Sequence, residues 1–395
     1  MTRRLVSNLR PPSRRILRLS LLGVTGLAFA AGPAFAASST PASSKTSSSS
    51  KAPAADSATK AASSPTPTPA KASGDDKDIG DSISSKVKEI FNFSRGAVVK
   101  IQSCDEHGEI EGTGFYADPS GTIYTVMDVV GDGTNITVCQ GMQKLPAHLL
   151  VADPRTGIAL IKVDSTSPFI PIGDSSKLEV TTPLITMGYP MDKPISPAFG
   201  LVAGFDKQFL NHFFRTTLVR ANLPVQPGLG GAPVLNLKGE VVGIVVSFVD
   251  GNAGCYVFPI NAAEKIRQDY ARFNELRPGW VGMSVEPAKD APASSPTNAR
   301  IVDLQPDSPA ARAGIRDGDL LMRVGDVAVR SPEDIFDASF YLTAGDDTTI
   351  SVLRNGVEQK FNVRATDNPY TRTGPQEMMP DRSTLTFEIS SSPSQ

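Results

Sequence analysis

The stretch PGLGGAP, Pro227 to Pro233, is a glycine-rich turn tight enough to present a nucleophilic side chain, yet it holds no serine. Leu229, Gly230, Gly231 and Ala232 fill its middle, and no hydroxyl or thiol lies between the two prolines. Nucleophilic acyl transfer needs an activated hydroxyl or thiol with a base beside it. His107, His148 and His212 are the only histidines; the first falls in a loop and the other two on strand-like runs. Ser247 and Cys255 sit on later strand-like runs, where packing or pocket lining is the ordinary role. Cys104, Cys139 and Cys255 show no C-x-x-C spacing, so zinc and dithiol chemistry lack support and no cofactor or metal is expected.

The elements that would position this turn are short strands. AVVKIQSC, GTGFYAD, TIYTVMDVV, NITVCQ, KLPAHLLVAD and GIALIKVD form one set; PLITMGYP, FGLVAGF, FFRTTLVRANLP, APVLNL, EVVGIVVSF and GCYVFPI form a second. Short strands joined by Gly, Pro and Asp turns predict two six-stranded β-barrels in series, so the fold class is all-β dominated. Ile83, Val87, Ile90 and Phe91 recur at helical spacing ahead of the first set, and a helical run from Ala262 to about Leu276 closes the second. A different unit follows from Gly279 to about Ala365, then a polar tail in which only TLTFEI has strand character.

The chain has 395 residues, a formal net charge of −2, 20% charged and 40% hydrophobic residues, which is enough for two or more domains. No basic stripe marks the folded part, which argues against nucleic acid as a partner. Six arginines between Arg3 and Arg18, the apolar run Leu19 to Ala31 and Ala34-Phe35-Ala36 have the layout of a secretory signal peptide over residues 1–36. The alternative is an uncleaved anchor, the only route to membrane attachment, but the run is short for a span. The run Ser13 to Arg18 loosely matches a twin-arginine export signal. Residues 37–80, almost all Ser, Ala, Pro, Thr and Lys, read as a disordered tether.

In their order, these motifs resemble the HtrA/Deg family of exported trypsin-like serine proteases with C-terminal PDZ domains. The resemblance covers roughly Ser82 to Ala365 and rests on GTGFYADPSGTIYTV, DPRTGIALIKVD, PIGDSSKLEV, ITMGYP, PGLGGAPVLNLKGEVVGI and YVFPINAAEKI. It implies a trypsin-like double barrel over residues 82–276, a PDZ domain over 279–366 and a flexible tail over 367–395. It also implies an exported, periplasmic or extracytoplasmic protein.

That family's chemistry needs a serine nucleophile, a histidine base and an aspartate that orients the histidine. Carried over position by position, the histidine falls on Asp128 in TVMDVV, the aspartate on Gly157 in TGIA and the serine on Gly230. All three side chains are absent, and Gly228 and Gly230 remain only as backbone donors of an empty oxyanion loop. Leu229 puts an apolar side chain where the family has a polar one, and Ala232 replaces a family glycine. The expectation is a pseudoprotease, with an active serine endopeptidase of envelope quality control as the alternative.

The end unit resembles an HtrA-type PDZ domain. Trp280, Val281, Gly282 and Met283 fall at the carboxylate-binding loop, Ser284 and Val285 continue the strand beside which a peptide would add, and Ile335 and Ser339 lie on the flanking helix. Phe336 and Leu342 on the same run fit core packing at least as well. The expected partners are peptide C-termini or extended segments of unfolded envelope proteins, bound as a scaffold, a chaperone-like factor or a regulator of an active relative. The family's trimer is a further possibility, with Phe91 and Phe93 as aromatic candidates. In the implied barrel the first and fourth strands meet, which makes Cys104 and Cys139 a disulfide candidate; the alternative is three small buried thiols.

Overall fold

A computed structural model describes residues 76–105, 108–209, 212–249 and 254–369. The expected signal peptide, most of the tether, His107 and the TLTFEI run lie outside the described residues.

Alternation builds the first barrel. In β1 (Val98–Asp105) Val99 and Ile101 are fully buried while Lys100 and Gln102 are half-exposed, and in β4 (Ile136–Gln140) Ile136 and Val138 point inward. With β2 (Gly108–Tyr116), β3 (Thr122–Val126), β5 (Gln143–Asp153) and β6 (Ile158–Val163) they close in the order β1-β2-β3-β6-β5-β4. The second barrel uses β7 (Pro183–Gly188), β8 (Ser196–Phe209), β9 (His212–Ala221), β10 (Pro233–Leu235), β11 (Val241–Val249) and β12 (Gly254–Pro259), closed as β10-β11-β12-β9-β8-β7. Both closures remove sheet edges.

Helix α1 (Asp76–Ser94) packs Ile90 into the barrel core with Val87 and Phe91 beside it, as the helical spacing predicts, while Ile83 stays exposed. It starts at Asp76, so the last residues assigned to the tether are helical. The run TIYTVMDVV is not one strand. It leaves the sheet at Val126 and turns into the short helix α2 (Met127–Val130), directly after Met127 N–H closes the β3–β6 pairing on Gly157 O at 2.7 Å.

Helix α3 (Ile260–Phe273) ends at Asn274, whose left-handed φ of 58° caps it, and buries Ile260, Ala262, Ala263 and Ile266. The last unit is a sheet of β13 (Ser284–Pro287), β14 (Ala299–Val302), β15 (Leu320–Val324), β17 (Asp347–Arg354) and β18 (Val357–Arg364), with β16 (Val327–Ala328) paired to β15. Helices α4 (Pro309–Ala313) and α5 (Asp334–Phe340) cover it, and its core includes Val281, Ile301, Leu321, Ile350 and Val352.

The disulfide expectation is corrected here. Strands β1 and β4 are neighbours, but the register sets Cys139 opposite Lys100, four residues from Cys104. That offset is roughly 13 Å along the strand, beyond the reach of a disulfide. Cys104, Cys139 and Cys255 are free thiols.

Candidate functional site

Where the two barrels meet, the 227–232 loop lies against β2 and α2. Thr113 N–H donates to Gly230 O at 3.1 Å, and Gly231 N–H donates to Val245 O at 2.9 Å. The Thr113 hydroxyl donates to Gly228 O at 2.7 Å and accepts from Tyr189 N–H at 3.1 Å. Met191 N–H donates to Pro227 O at 2.7 Å. The carbonyls of residues 227 and 228 are therefore fixed by these two donors. The N–H groups of Gly228 and Gly230 have no acceptor among the described residues, and both residues line a cleft of about 190 Å³. Gly228 has φ +94°, and a Cβ there would lie 2.4 Å from Tyr189 O, so only glycine allows this approach.

Leu229 and Ala232 have roles that their sequence positions did not disclose. Leu229 is 5% exposed and Ala232 fully buried; both belong to the core of the second barrel. Burying one leucine side chain is worth about 1.5–3 kcal/mol, so an apolar anchor holds the loop where the resemblance implies a polar residue.

The three positions at which the resemblance would put a triad come together. Gly157 contacts the start of α2 through Met127, Asp128 on α2 is exposed and lines the cleft, and a Cβ on Gly230 would lie 3.3 Å from Val126. Gly157 adopts φ +74°. Asp128 makes no hydrogen bond or ion pair among the described residues. Ser247 is exposed at the cleft; among the described residues it is the one side-chain hydroxyl lining it, and no histidine does. His148 and His212 are exposed on β5 and β9. Glu111, which also lines the cleft, is bound by Lys100 Nζ at 2.6 Å and Gln102 Nε2 at 2.7 Å. Neither Thr113 nor Glu111 stands out in the sequence, since one is a small hydroxyl residue and the other one carboxylate among many.

A second site lies in the last unit. Trp280, Val281, Gly282, Met283, Ile335 and Ser339 line a groove of about 80 Å³. The N–H groups of Val281, Gly282 and Met283 have no acceptor among the described residues, so three successive backbone donors lie at the groove. Ser284 and Val285 stand on β13, the edge strand with only β14 beside it; Val285 packs against the core. Leu342 is buried at the groove floor. Phe336 joins neither groove nor core: its ring stacks on Phe213 of β9 at 4.9 Å, because α5 turns that face toward the second barrel.

A family described as trypsin-like peptidase domain matches residues 112–244, and one described as PDZ domain matches residues 279–365. A probable periplasmic serine endoprotease DegP-like of Halomonas elongata is 29% identical over 67% of this chain and 58% of its own length. A protein of the same description from Pseudomonas putida is 28% identical over 64% of this chain and 55% of its own. The chain thus spans less than two thirds of these curated relatives. Among solved structures, an HtrA-type protease AlgW with tripeptide aligns with a TM-score of 0.60 at 18% identity, covering 72% of this chain and 97% of that one. A serine endoprotease from Yersinia pestis aligns with a TM-score of 0.52 at 21% identity, over 71% and 98%. At those identities the structural likeness speaks for the fold.

Proposed function

The chain belongs to the HtrA family of trypsin-like proteins with a PDZ domain, and we propose that within it the chain is a pseudoprotease that binds peptides without cutting them. One observation carries the reading. The cleft lined by Asp128 and Gly230 has backbone donors in its loop but no histidine base among the described residues, and that loop contains no nucleophile. Loss of a triad costs on the order of 10⁶ in kcat and leaves only about 10³–10⁴ over water from the oxyanion loop and binding.

Peptide capture falls to the PDZ groove, whose backbone nest needs no catalytic side chain. The ligands are peptide C-termini or extended segments of envelope proteins. The compartment is extracytoplasmic, in line with relatives described as periplasmic and with the export signal expected at residues 1–36. In this setting the protein acts as a scaffold, a chaperone-like factor or a regulator of an active relative.

A second reading, an active serine endopeptidase, is favoured by the relatives described as serine endoproteases. A fluorophosphonate probe with a casein-cleavage assay separates the two. The first reading expects neither labelling nor cleavage; covalent labelling of the wild type sinks it. Peptide capture is tested by the fluorescence of Trp280, the chain's only tryptophan, during titration with peptides carrying a free or amidated C-terminus.

A further inference from the structure

The barrel cleft combines two polarities that together select a ligand. Its walls include Val126, Val129, Val225 and Val246, and among the described residues the charged side chains lining it are Asp128 and Glu111, with no Lys, Arg or His. Glu111 is ion-paired with Lys100 and hydrogen-bonded by the Gln102 amide, and Lys100, with a 14% exposed side chain, divides its charge between Glu111 and Asp192. Asp128 is left as an exposed carboxylate without an ion-pair partner among the described residues. Close by, Gly228 and Gly230 hold two N–H groups without acceptors. The loop cannot easily turn to satisfy them, because Met191 N–H and the Thr113 hydroxyl hold the carbonyls of Pro227 and Gly228.

We propose that this cleft binds an extended peptide bearing a lysine or arginine, with Asp128 on the cationic side chain and the Gly228 and Gly230 N–H groups on a peptide carbonyl. The proposal rests on the reading that the cleft binds without cutting. A donor pair suits any peptide carbonyl and gives no sequence preference. The carboxylate supplies the preference: it attracts a cation, and it repels an acidic peptide where the apolar walls limit screening. The substitution that removes a base thus gives the cleft a charge selectivity that a neutral imidazole at this position would lack.

The test uses the full chain and acetylated, amidated Ala/Val peptides with a central Lys, norleucine or Glu, read by fluorescence anisotropy. Blocking both ends removes the carboxylate that the PDZ groove would hold. The Lys peptide is expected to bind about tenfold more tightly than the Glu peptide, with norleucine between them. Asp128→Asn should weaken the Lys peptide about five- to tenfold and leave the norleucine peptide unchanged, and the preference should shrink as salt rises from about 50 to about 500 mM. Asp128→Ala gives a second variant, and an unchanged thermal midpoint for either shows that the fold is kept. Equal binding of all three peptides, no binding at all, indifference to both variants, or displacement by a peptide with a free C-terminus that fills the PDZ groove would overturn the proposal. Cleavage of the Lys peptide would instead end the non-catalytic reading, and the Lys-to-Glu ratio would still report the charge preference.

Discussion

Asp337, on the helix that walls the PDZ groove, accepts hydrogen bonds from the Thr217 N–H at 2.6 Å and from the Thr217 hydroxyl, both on strand β9 of the second barrel. The Thr216 hydroxyl adds a third at 2.7 Å. Around them Lys207 pairs with Asp334, Phe340 meets Phe258 edge-on at 6.3 Å, and the Arg155 guanidinium lies 5.8 Å from the Phe340 ring. Arg155 is itself held by the buried Asp153, in the turn that leads to Gly157. Helix α5 therefore serves two surfaces, with Ile335 and Ser339 on the groove and Phe336, Asp337 and Phe340 toward the barrel.

Removing the Asp337 carboxylate leaves donors at Thr216 and Thr217 unpaired in this interface. Asp337→Ala should cost about 1–3 kcal/mol, and Asp337→Asn, which keeps one acceptor oxygen, less. Urea unfolding gives the free energies. Hydrogen exchange at the Thr217 amide should quicken in the alanine variant; an unchanged rate would mean that the contact does not hold the helix.

The same interface has a pH dependence. Burial opposes the charge on Asp334, but Lys207 and the Arg330 and Ser331 amides outweigh it and hold the carboxyl below its ordinary value of 3.8. A carboxyl depressed in the folded state stabilises fully above its unfolded pKa, and the contribution disappears as pH falls through the folded pKa. The stability advantage of the wild type over Asp334→Asn should hold constant near neutrality and shrink below about pH 4. Thermal midpoints of both proteins across pH 2.5–7 (roughly the span that brackets the carboxylate titration) check the direction.

How much of this was legible beforehand follows from what each residue type encodes. The twelve barrel strands and their closure could be read because apolar alternation and turn residues act locally. The empty loop could be read because glycine and alanine carry no reactive atoms. The helical turn at Met127 could not, since a β-branched, apolar run suits a strand equally well. Phe336 and Phe340 were opaque for a similar reason: an aromatic ring on a helix looks alike whether it faces its own core or a neighbouring domain. Register was the remaining gap, and it decided the cysteines.

Thiol counting follows from that register. Denatured, unreduced protein should titrate three thiols, and one free thiol would restore the Cys104–Cys139 bridge. In the native state Cys255 should react last, because burial excludes reagent and pushes its thiol up to about 12, so almost no thiolate forms near neutrality. Cys104 and Cys139, both half-buried, should react first.

Phe93 is 67% exposed at the end of α1, and Phe169 is 45% exposed, whereas Phe91 packs against the core. If the chain forms a homotrimer through this end, Phe93→Asp should shift sedimentation to monomer mass without lowering the thermal midpoint of the barrels. A wild type that is monomeric at every concentration excludes the assembly.

Restoring the missing side chains tests the cleft directly. Gly230 does not have a positive φ, and a Cβ there meets Val126 at 3.3 Å, so Gly230→Ser should fold with a loss of about 0.5 kcal/mol or less. It should show no turnover, since a serine without a base is a weak nucleophile. Gly157 differs: its added Cβ meets nothing within 4 Å, but its φ of +74° is left-handed. An aspartate there should cost about 1 kcal/mol through the backbone alone. The triple variant Asp128→His, Gly157→Asp, Gly230→Ser should therefore be less stable than Gly230→Ser by about that amount and remain far below a working protease. Casein cleavage and fluorophosphonate labelling of both variants give the readout, and turnover by the single variant would reveal a base elsewhere in the cleft.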